Sequence, residues 1–182
     1  VSHADSYLAE LKRGAPAAVE RLVDEYEGPL FRYFLAIHGN AALAGDQSYD
    51  TFVDLVRALP KMRGGPEKLR GFVYAIAKNI ERRRWRQRPT GEHTLDAVAA
   101  TACPHPGPER SAEQNESLQR ALQAIQSLNP TTRDIFLMRF VEQLSISEVA
   151  ATLDLAIGTV KSRLHRGRQE LKAMLATSEE EV

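Results

Sequence analysis

Thr159, Lys161, Ser162, His165, Arg166 and Arg168 are spaced to fall along one side of a single helix, opposite Val160, Leu164 and Leu171. They are hydrogen-bond donors, several of them cationic, of the kind that reach phosphate oxygens and purine edges in a major groove. A second group lies earlier. Arg82, Arg83, Arg84, Arg86 and Arg88 surround Trp85, with Asn79 one turn before. Such a group supplies charge for phosphates and an aromatic face for an unpaired base. Each feature also has a plainer reading. Basic residues at a helix C-terminus complement its dipole, Trp85 is equally a half-buried core anchor, and Asn79 either meets a base edge or caps local backbone. Catalytic constellations are missing: there are no paired carboxylates, nucleophile elbow or phosphate-binding glycine loop, and Gly64-Gly65 alone is a turn. Cys103-Pro104-His105 cannot complete a four-ligand zinc site, so neither metal nor cofactor is expected. Asp46, Asp50 and Asp54, at i, i+4 and i+8 beside Phe52, suit a protein interface better than a magnesium site.

The charge distribution supports this division of labour. The formal net charge is zero, which by itself argues against a polyanionic partner. Yet residues 1–56 hold 4 basic and 9 acidic side chains, residues 57–88 hold 11 and 2, and residues 156–172 hold 5 and 1. An acidic front and two basic segments suggest one surface for a protein and two for a polyanion. The 182 residues, 43% of them hydrophobic, suffice for one domain or two small ones. No apolar run approaches the roughly 20 residues of a membrane span, and the first residues lack a basic-then-apolar signal pattern. With Cys103 the only cysteine, no intrachain disulfide can form, and a cytoplasmic setting without membrane insertion is expected.

The elements that must position these groups read as helices throughout. A short helix over 4–13 ends at Gly14, and Pro16 opens a second running to about Glu27. Pro29 begins or kinks the next stretch, 29–38, and Gly39-Asn40 is a turn. Helix 46–59 carries Phe52, Val53, Val56 and Leu59 as an apolar stripe. Arg63-Gly64-Gly65-Pro66 breaks it, and helix 67–87 turns Phe72, Val73, Ile76, Ala77 and Ile80 inward. From Pro89 to Arg110, prolines and glycines among small residues read as an interdomain linker. Helices over 111–127 and 130–143 follow, the second with Asn129 as N-cap and Pro130 at its first position, and with Ile135, Met138 and Val141 inward.

The most informative segment is 144–166. Ser145 and Glu148 form a capping box, with Leu144 and Val149 placed to close a hydrophobic staple. That predicts a helix over 146–153 with Val149, Ala150 and Leu153 inward. Asp154-Leu155-Ala156 makes a short turn, Leu155 filling its angle. A second helix over 157–172 buries Ile157, Val160, Leu164 and Leu171 and presents the donors named above. Two helices, a short turn and a basic polar face on the second make a helix-turn-helix.

Residues 144–171, and above all Gly158-Thr159-Val160-Lys161-Ser162-Arg163-Leu164-His165-Arg166-Gly167-Arg168, resemble region 4 of the extracytoplasmic-function sigma factors, with Leu128-Asn129-Pro130 through Phe136 resembling its first half. Tyr26 to Phe34 resembles the opening helices of region 2, and Asp46 to Leu59 the helix that docks on the RNA polymerase clamp. Phe72 to Asn79 is similar to the helix facing the −10 element, and Met62 to Pro66 lies where the family holds a flipped base. The resemblance implies an all-α protein of two small helical domains, with region 2 in 1–88, a flexible linker in 89–110 that enters the polymerase, and region 4 in 111–182. It implies −35 contacts from Thr159, Lys161, Ser162, His165, Arg166 and Arg168, and −10 contacts from Met62, Arg63, Asn79, Arg82, Arg83 and Trp85. Core polymerase binding would fall to Asp46, Tyr49, Asp50, Val53 and Arg57.

The partners it implies are core RNA polymerase at its clamp and flap, promoter DNA and an anti-sigma factor. The chain would then be no enzyme itself. Tyr49-Asp50-Thr51-Phe52 stands where the family has Gln-Glu-Thr-Phe, Gly45 replaces a common acidic residue, and Ala156 is a poor N-cap. Core binding and the first turn of the recognition helix are therefore expected to differ from relatives. Two other readings stay open on the residues alone: a dimeric helix-turn-helix regulator, and a nucleic-acid enzyme with its groups in residues 1–88. Ser48 and Thr51 are also candidate phosphate acceptors beside the clamp surface.

Overall fold

A computed structural model describes residues 3–87, 120 and 123–177, all of whose regular structure is helical. The linker at 89–110, with Cys103 and His105, and the first part of the helix expected at 111–127 lie outside the described residues. Helix α1 spans His3–Lys12 and α2 spans Pro16–His38. Pro29 neither begins nor ends a helix. It sits inside α2, whose buried face of Ala18, Leu22, Tyr26, Leu30, Tyr33, Phe34 and Ile37 runs unbroken past it. Packing of that face outweighs the one backbone hydrogen bond a proline removes. Gly39, left-handed at φ 65°, stops the helix with its N–H on the Leu35 carbonyl.

Helix α3, Ala41–Ala58, begins five residues earlier than the apolar pattern indicated, because the Asn40 side chain caps it by accepting from the Leu43 N–H at 2.9 Å. Its inward face also differs. Val56 is exposed and Phe52 only half-buried, while Ala44, Gln47, Ser48, Thr51 and Leu55 are buried. The hydroxyls of Ser48 and Thr51 donate to the Ala44 and Gln47 carbonyls, and Gln47 pairs with His38 at 2.9 Å. Polar residues satisfied this way can line a core. Both hydroxyls are therefore enclosed, and the expectation that they stand open to phosphorylation is corrected. Two 3-10 turns, Leu59–Lys61 and Pro66–Lys68, lead into α4, Leu69–Gln87.

After a helical stretch at 123–127, α5 spans Pro130–Phe136 from the expected Asn129 cap and passes into a π turn, Leu137–Val141. The wider turn points Phe140 and Val141 outward, against the expectation that Val141 is core. Helices α6, Ile146–Leu153, and α7, Ile157–Thr177, complete the order.

One core runs through the molecule. Tyr33 packs edge-on against Phe34 and Tyr74, and α4 buries Val73, Ile76, Ala77 and Ile80. That core continues into Ile135, Leu137, Met138, Leu144, Val149, Val160 and Leu164. The two halves meet along a seam where α4 faces α6 and α2 meets the π turn. Tyr74 donates to the Glu142 carboxylate, Arg70 reaches the Glu142 carbonyl at 3.2 Å, and Thr152 lies against Gly71. Lys78 pairs with Glu81 on its own helix and with Asp134 of α5 at 2.5 Å.

Candidate nucleic-acid interface

The hairpin of α6 and α7 is built by local chemistry. Ser145 accepts from the Glu148 N–H at 3.2 Å while the Glu148 carboxylate accepts from the Ser145 N–H at 2.7 Å. The Ser145 hydrogen bonds hold the Glu148 carboxyl below its ordinary range. Asp154 ends α6 in the left-handed region at φ 54°, ψ 51°, a conformation aspartate tolerates better than most residues. The Leu155 N–H then closes the turn on the Ala150 carbonyl at 2.9 Å. Leu155 is half-buried in the angle, and Val160 and Leu164 anchor α7 beneath it. Ile157, expected inward, is 50% exposed, because the first turn of α7 projects past the end of α6.

The donors come out on the open side of α7. Lys161, Ser162, His165, Arg166 and Arg168 are exposed and Thr159 is half-buried. Ser162 donates back to the Thr159 carbonyl at 3.0 Å, His165 meets Gln169 at 3.2 Å, and the Arg168 guanidinium lies 5.2 Å over the Phe140 ring. Arg163 instead turns inward toward Thr132. Sequence reasoning overlooked Gly167. A Cβ there would stand 2.6 Å from the Phe136 ring and 2.7 Å from Thr132 Cγ2, so α7 approaches α5 only because residue 167 has no side chain. A glycine inside an otherwise helical pattern was the available signal.

On the other half, Arg63, Asn79, Arg82 and Arg83 are exposed, and Trp85 at 59% exposure is no core anchor. Met62 departs from expectation. The 3-10 turn at Leu59–Lys61 swings it into the core, where it is 5% exposed. Along α3, Asp46, Tyr49, Asp50 and Arg57 are exposed, Tyr49 at 71%, and Val53 is half-buried. Asp54 binds Arg83 at 2.7 Å and faces Arg57 at 3.8 Å, tying the acidic ladder of α3 to the basic end of α4. Among the described residues no group of three His, Cys, Asp or Glu side chains is placed to hold a metal ion, and no helix is long and apolar enough to cross a membrane.

Residues 118–171 match the family described as sigma-70, region 4. The ECF RNA polymerase sigma factor SigE of Mycolicibacterium smegmatis is 30% identical over 168 residues, covering 90% of this chain and 63% of SigE. The ECF RNA polymerase sigma factor SigW of Bacillus subtilis is 26% identical over 178 residues, covering 92% of this chain and 94% of SigW. The chain thus spans less than two thirds of the first relative and nearly all of the second. In fold, it is similar to CnrH in complex with the cytosolic domain of CnrY, with a TM-score of 0.73, 21% identity and coverage of 97% of this chain and 99% of that one. It is similar too to the sigma factor RpoE of Bartonella quintana in complex with the anti-sigma factor NepR, with a TM-score of 0.69, 22% identity and coverage of 86% and 96%.

Proposed function

We propose that the chain is an extracytoplasmic-function sigma factor, which binds core RNA polymerase and directs initiation at chosen promoters; the region 4 match over residues 118–171 and the similarity to SigE and SigW support this. In this reading residues 1–88 are region 2, 89–110 the linker and 111–182 region 4. The observation that carries it is the capped hairpin whose second helix turns Lys161, Ser162, His165, Arg166 and Arg168 outward. Those side chains, with Thr159, read the −35 duplex. Arg63, Asn79, Arg82, Arg83 and Trp85 hold the unpaired −10 strand, the arginines by phosphate charge and Trp85 by stacking.

The outward row Asp46, Tyr49, Asp50, Val53 and Arg57 docks on the polymerase clamp, and region 4 meets the flap. Burial of Gln47, Ser48 and Thr51 on the other side of α3 supports this, since it leaves Tyr49 and Val53 turned away from the core. The chain acts in the cytoplasm, performs no catalysis of its own and gives the polymerase its promoter choice. An anti-sigma factor regulates it, as RpoE is held by NepR in its solved complex.

The test uses purified core polymerase and promoter duplex. Asp50→Arg is expected to lose at least 10-fold in core affinity, since it reverses charge at the centre of the row. Lys161→Glu is expected to bind core normally and lose −35 recognition. Wild-type chain that ignores core yet binds a two-fold symmetric duplex alone contradicts the proposal and favours a dimeric regulator.

A further inference from the structure

We infer that Phe140 is a positioning residue for the DNA contact of Arg168: its exposed ring holds the guanidinium over its face, ready for a backbone phosphate before any duplex arrives. The inference rests on the reading of α7 as the helix that meets DNA; the pairing of ring and cation is geometry. The Arg168 guanidinium lies 5.2 Å from the Phe140 ring centroid, inside the roughly 6 Å over which a cation is drawn to an aromatic face.

The ring is built into place. Phe140 is 46% exposed, yet it packs on Phe136, which is 6% exposed, with centroids 5.3 Å apart and planes tilted by 48°. Phe136 is also the ring that Gly167 lets α7 approach, and that approach brings the next residue, Arg168, beside Phe140. A second guanidinium, Arg139, stands 6.0 Å from the same ring and is itself fixed, its Nη1 donating to the Leu144 carbonyl at 3.2 Å. The wide π turn, Leu137–Val141, turns the ring outward to meet α7.

An aromatic face suits this task better than a carboxylate would. A carboxylate would also hold Arg168, but it would cancel the charge and occupy N–H donors. None of the ion pairs among the described residues involves Arg168. A ring takes only the flat face of the guanidinium, so the N–H donors, which lie in its plane, stay free for phosphate oxygens. An arginine held in this way also loses less rotamer freedom on binding than an unrestrained one. Phosphate contacts carry no sequence information, so Phe140 sets affinity alike for every duplex.

The test is a double-mutant cycle on the full chain, read by fluorescence anisotropy with short mixed-sequence duplexes at low salt. Phe140→Leu keeps an apolar side chain and removes the aromatic face. It is expected to weaken binding about 2- to 5-fold, the span of an exposed cation–π contact. Phe140→Tyr keeps the face and is expected to bind like the unaltered chain. Arg168→Gln is expected to weaken binding at least as much as Phe140→Leu, and adding Phe140→Leu to it to change nothing further. A purely structural role for the ring would cost the same in both backgrounds, and that result overturns the inference. So does an unaltered chain that binds no duplex, a Phe140→Leu or Arg168→Gln chain that binds as the unaltered one does, or a Phe140→Tyr chain as weak as Phe140→Leu. A Phe140→Leu effect that changes with duplex sequence overturns the phosphate assignment.

Binding of the same chains to core polymerase is measured in parallel. Phe140→Leu that loses core and keeps duplex makes the ring a polymerase contact and overturns the inference. Failure of every chain to join core sinks the sigma assignment while the duplex cycle stands, so the two failures are distinguishable.

Discussion

Asp134 shows how one residue's surroundings set the behaviour of the seam. Burial pushes its carboxyl up to about 6, against the opposing pull of Lys78, while Glu81 adds to the rise and Arg133 opposes it. Glu142 is raised too, again by burial, with Tyr74, Arg32 and Arg70 pulling the other way. A carboxyl whose packed-state value lies above its free value favours the packed form most below about pH 4, and that contribution is lost as pH rises through 6. For Asp134 the change is on the order of 2 kcal/mol between pH 4 and pH 7. The packed form is therefore expected to be held more firmly at pH 5 than at pH 7.5, and Asp134→Asn to remove much of that slope. Urea unfolding of both chains at the two values checks this. A slope equal in both means that Asp134 takes no part.

Among the elements, the approach of α7 to α5 depends on Gly167, and a neighbouring glycine supplies the contrast. In Gly167→Ala the added methyl meets the buried Phe136 ring and Thr132 below 3.0 Å, whereas the same change at Gly158 meets nothing within 4 Å. Alanine raises helix propensity by up to about 1 kcal/mol, and overpacking costs about 1–3 kcal/mol. Gly167→Ala is thus expected to lower stability by roughly 1 kcal/mol, and Gly158→Ala to leave it unchanged or raise it slightly. Thermal unfolding reads both, and equal shifts would mean that α7 does not need the close approach.

Apart from Ile157, the α6–α7 hairpin was legible in the sequence, because a capping box and a short turn are signals written within a few positions of one another. The inward face of α3 was not. Ser48 and Thr51 donate to carbonyls of their own helix and Gln47 Oε1 meets His38, pairings that an apolar-period reading, which assigns such residues to water, does not register. Of the two readings of Pro29, a helix start there fails for a related reason, since the tertiary packing that carries α2 past it leaves no local mark. Met62 was assigned to a surface because a short 3-10 turn sets its direction. Nor does anything near Tyr74 or Lys78 announce partners more than 50 residues away.

Taken whole, the molecule divides its charge rather than carrying an excess. An acidic front presents α3 outward, and two basic segments end α4 and line α7, so a chain of zero net charge carries one acidic and two basic surfaces, which the proposed function gives to the polymerase and to DNA. The most direct test of this account is transcription reconstituted from purified core RNA polymerase, this chain and fragmented genomic DNA, with start sites mapped. The account predicts starts at a discrete set of sites that depend on the chain and share −35 and −10 sequences, and that vanish with Lys161→Glu. Core polymerase giving the same scattered starts with and without the chain would contradict it.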